Sequence, residues 1–313
     1  MTRVAGIDCG TNSIRLLIAD PLDGALADVE RLMKVVRLGQ GVDATGRLAD
    51  EALQRTFAAA EEYAGLIRDR GAEAVRFVAT SATRDAENRQ VFVDGIRERL
   101  GVEPEVISGD EEAALSFAGA ASVLPADGPS PVLVVDLGGG STEFVLGDRA
   151  GVRAARSVDI GCVRLTERHL AADPPTAEQV AAAEADVDAA LDLVEQAVPL
   201  GEAAVLVGVA GSVTTITAHA LRLAAYDPAR IHGTSLDGAT VARACTELLE
   251  MTRDQRAALP YMHPGRVDVI GAGALIWRRV LKRVEAASGG RVAGATTSEH
   301  DILDGIALSV ARS

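Results

Sequence analysis

Two short segments combine an aspartate at the end of an apolar run with a following glycine and hydroxyl residues. The first reads IDCGTNS over residues 7–13, and the second reads VDLGGGSTE over residues 135–143. Glycine allows backbone N–H groups to approach an anion closely, and an aspartate carboxylate binds Mg²⁺ directly or through water. Each segment therefore has the composition of a phosphate-binding turn with a metal-binding acid at its start.

The two segments are related as an internal repeat. Placing Asp8 on Asp136 also aligns Ser13 with Ser141, and an apolar run follows each turn. A single turn of this type is more often only a tight turn, whereas two matched turns indicate two similar lobes. We predict that the two turns bind one phosphate chain from both sides.

A third segment supplies acids that could activate water. Residues 107–114 read ISGDEEAA and open a predicted helix. Acids are also favoured in a first helical turn by the helix dipole, so a purely structural role is the alternative. A carboxylate near bound phosphate could instead accept a proton from the attacking water. Glu112 is the preferred base, and Glu111 is the second choice.

Two more segments follow a predicted strand and open a helix, where N–H groups and hydroxyls meet anions. Residues 80–85 read TSATRD, and residues 209–214 read VAGSVT. Arg84 could bind two phosphate oxygens, or it could pair with Asp85 or Glu87 at the surface. The segment at Gly211 and Ser212 could line the same site or serve only close packing.

The chain organisation indicates two lobes of alternating strands and helices. A length of 313 residues exceeds what one hydrophobic core usually covers. Proline and glycine at residues 124–131 predict a linker between an N-terminal lobe at 1–124 and a C-terminal lobe at 131–299. The last helix, within residues 300–313, is expected to pack back on the N-terminal lobe. Other expected helices cover residues 50–70, 85–100, 110–121, 163–171, 177–197, 212–224, 238–251 and 267–286, and strands cover 75–79, 104–107 and 203–209.

Composition excludes several classes of protein. The chain has 45 acidic and 31 basic side chains, a net charge of −14, which argues against a DNA- or RNA-binding protein. No apolar run approaches the roughly 20 residues of a membrane span, and the N-terminus lacks a signal-peptide pattern, so a cytoplasmic protein is expected. The three cysteines show no metal spacing and are expected in the core. P-loop, dinucleotide-binding, serine-hydrolase and HExxH motifs are absent.

Together these motifs resemble the Ppx/GppA family of exopolyphosphatases and guanosine pentaphosphate phosphatases. The resemblance rests on residues 7–13, 80–84, 108–113, 135–143 and 208–212, in the family's order and over nearly the whole chain. It implies an α/β fold with two ribonuclease-H-like lobes and an interlobe cleft, as in the actin, sugar kinase and heat-shock chaperone superfamily. Cys9 and the short length are most similar to two-domain actinobacterial members, which lack further C-terminal helical domains.

The resemblance also implies roles for individual residues. Glu112 is the water-activating base, and Arg84 assists it in catalysis. Asp136, Glu143 and Asp8 are assigned as ligands of a metal ion, either Mg²⁺ or Mn²⁺. Phosphate contacts are assigned to Asn12, Ser13, Gly138 and Ser141. We add four further candidates from the same glycine loop and from the predicted helix start in the second lobe: Gly139, Gly140, Gly211 and Ser212. The family further suggests a homodimer.

The expected activity is hydrolysis of the terminal phosphoanhydride of inorganic polyphosphate to orthophosphate, with a preference for short chains. Removal of the 5′ terminal phosphate of guanosine pentaphosphate is the nearest alternative, since the same machinery serves both substrates. An ATP-binding kinase or conformational switch of the same fold is a third alternative. Glu112 and residues 80–84 count against it, because a kinase needs a base directed at a sugar hydroxyl.

Overall fold

The chain folds into two compact units. The computed structural model describes residues 2–22, 25–121 and 128–311. Unit 1 comprises Met1–Val123 and His300–Ser313, and unit 2 comprises Leu124–Glu299. Of the predicted linker at 124–131, residues 124–127 lie outside the described ranges.

Unit 1 is built on a five-stranded mixed sheet in the order β3-β2-β1-β4-β5. Its strands are β1 (Val4–Cys9), β2 (Ser13–Leu22), β3 (Ala25–Val35), β4 (Ala74–Ala79) and β5 (Glu105–Val106). Its helices before the crossing to unit 2 are α1 (Val42–Thr45), α2 (Asp50–Arg70), α3 (Ser81–Asp85), α4 (Arg89–Leu100) and α5 (Gly109–Ala121). The central strand β1 is buried along its whole length, as expected where both faces of a sheet are covered.

Unit 2 is built on a six-stranded mixed sheet in the order β10-β11-β9-β6-β7-β8. Its strands are β6 (Val132–Leu137), β7 (Thr142–Asp148), β8 (Gly151–Val158), β9 (Val205–Val209), β10 (Ser235–Asp237) and β11 (Gly294–Thr297). Its helices are α6 (Cys162–His169), α7 (Ala177–Glu195), α8 (Ala210–Ala220), α9 (Pro228–Ile231), α10 (Gly238–Glu250), α11 (Arg253–Ala257) and α12 (Ile270–Ala287). The chain then returns to unit 1 as α13 (Ile302–Ala311).

The two units share one topology. In unit 1, β1 pairs antiparallel with β2 and parallel with β4. In unit 2, β6 pairs antiparallel with β7 and parallel with β9. An antiparallel meander followed by a parallel crossover strand beside the first strand is the ribonuclease-H-like arrangement. The predicted fold class is confirmed.

Local sequence was misleading at two helix boundaries. The helix expected over 85–100 begins at Arg89, because Ala86 is extended and Asn88 hydrogen-bonds both backbone groups of Leu48. The helix expected over 212–224 ends at Ala220, and Arg222 adopts a left-handed backbone with φ 51°. In both places hydrogen bonding or backbone geometry outside the helix pattern sets the boundary. All three cysteines are free and buried, as predicted.

Helix α13 packs in unit 1 against α5 and β1. The backbones of α5 and α13 lie in direct contact at two glycines. A Cβ on Gly119 would overlap the carbonyl oxygen of Asp301, and a Cβ on Gly305 would overlap that of Leu115. An ion pair of 2.5 Å between Arg31 Nη2 and Asp304 Oδ1 also joins β3 to α13. Within the described residues, no helix is long and apolar enough to cross a membrane.

The close approach of α5 and α13 makes these two glycines sensitive to one added methyl group. We expect Gly119→Ala or Gly305→Ala to lower the free energy of unfolding by about 3 kcal/mol, since the clash is with backbone atoms. Gly65→Ala in the middle of α2 is the matched control, because nothing lies within 4 Å of its Cβ position. The control substitution should raise the free energy of unfolding, measured by urea titration, by about 0.5–1 kcal/mol. Equal effects at all three sites would contradict the packing.

Candidate active site

Two buried carboxylates lie side by side at the second turn. Asp136 on β6 is paired directly with Glu143 on β7. Side chains of directly opposed residues in an antiparallel pair point to the same face, with Cβ atoms about 5 Å apart. Both residues are buried, and Ser157 Oγ donates a 2.7 Å hydrogen bond to Glu143 Oε1. The pair therefore presents carboxylate oxygens together on one face of the sheet.

This pair fits a Mg²⁺ site. Mg²⁺ prefers oxygen ligands and is usually bound by one or two carboxylates, with substrate phosphates and water completing the octahedron. Within residues 2–22, 25–121 and 128–311, no group of three or more His, Cys, Asp or Glu side chains could hold a metal ion. Two carboxylates alone would leave the other coordination positions of Mg²⁺ to phosphate and water.

The glycine loop after Asp136 is fixed by helix α6. Its three carbonyl oxygens accept hydrogen bonds from the start of that helix: Gly138 O from Cys162 N (3.0 Å), Gly139 O from Val163 N (2.8 Å) and Gly140 O from Arg164 Nε (2.8 Å). In a planar trans peptide, the C=O and the following N–H point in opposite directions. The N–H groups of residues 139 to 141 therefore form a row that faces away from α6. Successive N–H groups that point the same way can bind an anion.

The turn in unit 1 has the same internal hydrogen bond. Gly10 N donates to Ser13 O at 3.0 Å, as Gly138 N donates to Ser141 O at 3.1 Å. The carbonyls of the unit 1 turn are also bound from one side, in this case by residues 36–39. The N–H groups of Asn12 and Ser13 therefore point away from that segment.

The two turns differ in the residue opposite the aspartate. Arg15 occupies the place in unit 1 that Glu143 occupies in unit 2, and its Nε and Nη2 donate to Asp8 Oδ2 at 2.8 and 2.6 Å. Arg15 also pairs with Asp301. Burial raises the pKa of Asp8, and the nearby Arg15 acts in the opposite direction. Asp8 thus faces a cation, and its role as a metal ligand stays a prediction.

Glu112 and Arg84 are brought together in unit 1. Arg84 Nη1 donates to Glu112 Oε2 at 3.0 Å and to the carbonyl oxygen of Ile107 at 3.1 Å. Arg84 lies at the end of α3 and Glu112 in the first turn of α5, so two separate helices position the pair. The Glu112 side chain is only 10% exposed, and a guanidinium next to it holds its carboxylate in one orientation.

Glu111 has a different environment. Its side chain is 46% exposed and forms an ion pair of 2.7 Å with Arg76. The backbone N–H of Glu111 donates to Ser108 Oγ at 3.2 Å, so Ser108 caps α5. Ser108 and Glu111 therefore have structural contacts at the start of α5. Glu112 is more enclosed and lies beside Arg84.

The start of α8 lies beside the carboxylate pair, since β9 ends next to Asp136 in the sheet. Ala210 opens this helix with φ 70°, a strained value for a residue with a side chain. Next to it, the Arg266 guanidinium covers Gly211 so closely that a Cβ there would overlap it. Arg266 Nη1 also donates to Thr215 Oγ1 at 3.3 Å.

Sequence analysis missed Arg266. It follows Pro264 in a single helical turn before α12, far along the chain from Gly211, and no local motif marks it. The glycine at residue 211 was the only available signal, because a glycine at a helix start often permits close approach by another group. Ser212, the next predicted residue, is buried, and a Cβ on Gly273 would overlap its side chain.

The predicted residues thus form one group in each unit. In unit 1, Glu112 contacts Arg84, and the β1–β2 turn carries Asp8, Asn12 and Ser13. In unit 2, the β6–β7 turn carries Asp136, the glycine loop and Glu143, next to the start of α8.

The chain matches the model of the Ppx/GppA phosphatase family over residues 17–309. It is 52% identical to Exopolyphosphatase 2 of Mycobacterium tuberculosis over 99% of each chain. The chain therefore belongs to the Ppx/GppA phosphatase family, which confirms the resemblance and the prediction of an enzyme.

Solved structures agree with this assignment. The crystal structure of an exopolyphosphatase-like protein superposes with a TM-score of 0.96 and 50% identity, covering 99% of both chains. The PPX-GPPA enzyme of Aquifex aeolicus superposes with a TM-score of 0.80 and 32% identity, covering 98% of this chain and 99% of that one. The whole of the present chain is thus accounted for by the fold of this family.

Proposed function

We propose that the protein is an exopolyphosphatase that hydrolyses the terminal phosphoanhydride of inorganic polyphosphate to orthophosphate. The observation that carries the proposal is the row of N–H groups at residues 139–141 beside the paired carboxylates of Asp136 and Glu143. N–H donors bind phosphate oxygens, and a carboxylate pair can bind a divalent cation that compensates the charge of a phosphate chain. The name of the Mycobacterium tuberculosis relative, 52% identical, supports this substrate.

The N–H row and two arginines would bind and orient the phosphate. Transfer of a phosphoryl group to water has a loose transition state, so positioning and charge stabilisation supply most of the catalysis. Arg84 and Arg266 offer planar guanidinium groups that match phosphate oxygens in pairs. We propose that the N–H row, with Asn12 and Ser13 in the other turn, holds the phosphate oxygens.

Glu112 would orient the attacking water and accept its proton. Arg84 Nη1 donates to Glu112 Oε2 at 3.0 Å, and an ionised carboxylate can accept several hydrogen bonds, so we propose that it also accepts one from the attacking water. When bound by Asp136 and Glu143, Mg²⁺ would neutralise negative charge on the phosphate oxygens. Water attacks phosphorus, the bridging oxygen leaves with the shortened chain, and no covalent enzyme intermediate is needed.

Guanosine pentaphosphate is the second candidate substrate. The family that the sequence motifs resemble comprises exopolyphosphatases and guanosine pentaphosphate phosphatases, and the PPX-GPPA enzyme of Aquifex aeolicus matches nearly the full chain. The phosphate-binding groups described above would serve either substrate. An ATP-binding kinase or switch is the third candidate, and the hydrogen bond between Arg84 and Glu112 supports our proposal of a water-activating base over it.

A comparison of substrates tests this proposal. We expect Mg²⁺-dependent release of orthophosphate from short polyphosphate, with slower release from long polyphosphate and guanosine pentaphosphate. The assay should measure kcat/KM for tripolyphosphate, long-chain polyphosphate and guanosine pentaphosphate side by side. Faster turnover of guanosine pentaphosphate would favour the second candidate, and phosphorylation of a small hydroxyl compound by ATP would favour a kinase.

A neutral substitution at Glu112 tests its role as the base. We expect Glu112→Gln to lower kcat about 100-fold or more while tripolyphosphate still binds, because the amide cannot accept the proton. Glu111→Gln is the matched control, since the neighbouring acid faces Arg76 and should lose less than about 2-fold. A Glu112→Gln protein that binds substrate and retains most of its turnover would exclude Glu112 as the base.

Metal binding can be measured apart from activity. We expect Asp136→Asn and Glu143→Gln each to weaken Mn²⁺ binding about 10-fold or more in calorimetric titration, because each removes one charged ligand. Asp148→Asn at the end of β7 is the control and should leave binding unchanged, since Asp148 pairs with Arg153. The same titration of Asp8→Asn decides whether Asp8 is a third ligand. Unchanged Mn²⁺ affinity in both test variants would refute the site.

The homodimer, the cytoplasmic location and the preference for short chains remain predictions. Mass measurement in solution would establish the oligomeric state, and the substrate comparison above would establish chain-length preference.

A further inference from the structure

His219 lies in a buried hydrogen-bonded group that the proposed mechanism does not use. Its Nδ1 lies 2.6 Å from the Tyr261 hydroxyl, and its Nε2 lies 2.8 Å from Glu247 Oε2. The His219 side chain is 0% exposed. It therefore cannot touch a substrate, and any effect on catalysis must act through other residues.

The contacts of this group are best satisfied by a neutral His219 ring that donates from Nε2 and accepts at Nδ1. A carboxylate only accepts hydrogen bonds, so His219 Nε2 carries the proton that is donated to Glu247. Burial lowers the pKa of His219, although Glu247 acts in the opposite direction, which favours the neutral ring. Its Nδ1 then accepts from the Tyr261 O–H. Arg222 Nη2 completes the group by donating to Glu247 Oε2 at 2.6 Å.

His219 shares one face of α8 with the residues that contact Arg266. Gly211, Thr215 and His219 are four residues apart and so form a single stripe along the helix. Tyr261 contacts the stripe at His219, whereas Arg266 contacts it at Thr215 and Gly211. Residues 261–266, which we call the strap, therefore run along α8 in the opposite direction and are attached at both ends.

The strap has little other freedom between these ends. His263 Nδ1 accepts a 3.1 Å hydrogen bond from Gly265 N, and Val269 N donates to Arg266 O at 3.0 Å where α12 follows. Tyr261 and Met262 are buried. We therefore expect a change at the Tyr261 end to alter the position of the Arg266 end.

We propose that His219, together with Tyr261 and Glu247, is a positioning residue that sets the placement of the strap on α8 and so holds the Arg266 guanidinium at Gly211, where it binds a phosphate. This inference rests on the proposed function, because Arg266 is taken to contact the substrate. Arginine has a long side chain with several rotatable bonds. If the guanidinium is already held in place, less side-chain conformational entropy is lost when phosphate binds. The expected consequence is on substrate affinity and not on the chemical step.

The test is a double-mutant cycle between the two ends of the strap. We expect Tyr261→Phe to raise KM for tripolyphosphate about 3- to 10-fold, the range for one lost hydrogen bond, with kcat changed less than about 2-fold. Arg266→Ala should raise KM more. In the Arg266→Ala background, Tyr261→Phe should have no further effect, because both changes act through one guanidinium. The same variants, each also carrying Glu112→Gln, allow tripolyphosphate affinity to be measured directly. Their dissociation constants should change in the same non-additive way as KM.

Two controls separate positioning from general loss of stability. Val187→Ala removes buried side chain from α7, away from the strap, and should lower stability without changing KM. Glu247→Gln keeps an oxygen that accepts from His219 and should retain near-normal KM, whereas Glu247→Ala should raise it as Tyr261→Phe does. Equal KM increases in Val187→Ala and Tyr261→Phe, or additive effects in the cycle, would overturn the proposal.

Hydrogen exchange gives a readout that does not depend on activity. We expect Tyr261→Phe to accelerate exchange at the amides of Gly265 and Val269 about 10-fold or more relative to wild type. Unchanged exchange would overturn the positioning role even if the enzyme is active. A different result would overturn the proposed function instead: exchange is faster in Tyr261→Phe, but the wild-type protein neither binds nor hydrolyses tripolyphosphate. In that case the phosphate contact of Arg266 is also excluded, and the strap has only a structural role.

Discussion

The proposed chemistry depends on three carbonyl groups being bound from one side. Helix α6 and Arg164 hold the carbonyl oxygens of residues 138–140, so the planar peptide groups turn their N–H donors the other way. The same loop connects the strands that carry Asp136 and Glu143. A Cβ on Gly161 would overlap the loop at Gly139, so the start of α6 can approach only because residue 161 is glycine. One hairpin thereby carries both the N–H groups that we propose bind phosphate and the carboxylates that we propose bind a cation.

The internal repeat has conserved geometry and diverged in charge. Both turns close with the same hydrogen bond, and each connects two antiparallel strands, the first of which also pairs with a parallel crossover strand. In unit 2 the aspartate faces a glutamate, which favours a metal ion between them. In unit 1 the aspartate faces Arg15, which already compensates the charge and links the turn to Asp301 at the start of α13. One fold unit can thus supply a cation site and the other a neutralised turn.

Two arginines, one in each unit, are positioned by contacts with residues far away in the sequence. Arg84 is held by Glu112 and by the Ile107 carbonyl, and Arg266 by Thr215 and the space above Gly211. An arginine pre-placed in this way loses less side-chain entropy when it binds phosphate. In the proposed strap, His219, which lies two helical turns along α8 from Gly211, would position Arg266 in a similar way.

The sequence by itself determined the strand-turn-strand segments, the repeat between Asp8 and Asp136, and the preference for acids at the start of α5. These features are local, since a turn and a helix start depend on residues adjacent in the chain. Tertiary structure alone decided that Arg84 pairs with Glu112, that Arg15 faces Asp8 and Asp301, and that Arg266 lies over Gly211. It also decided where α4 begins and which way the glycine-loop N–H groups point. The physical reason is that each of these depends on the distance between segments far apart in the chain, which packing sets and periodicity does not encode.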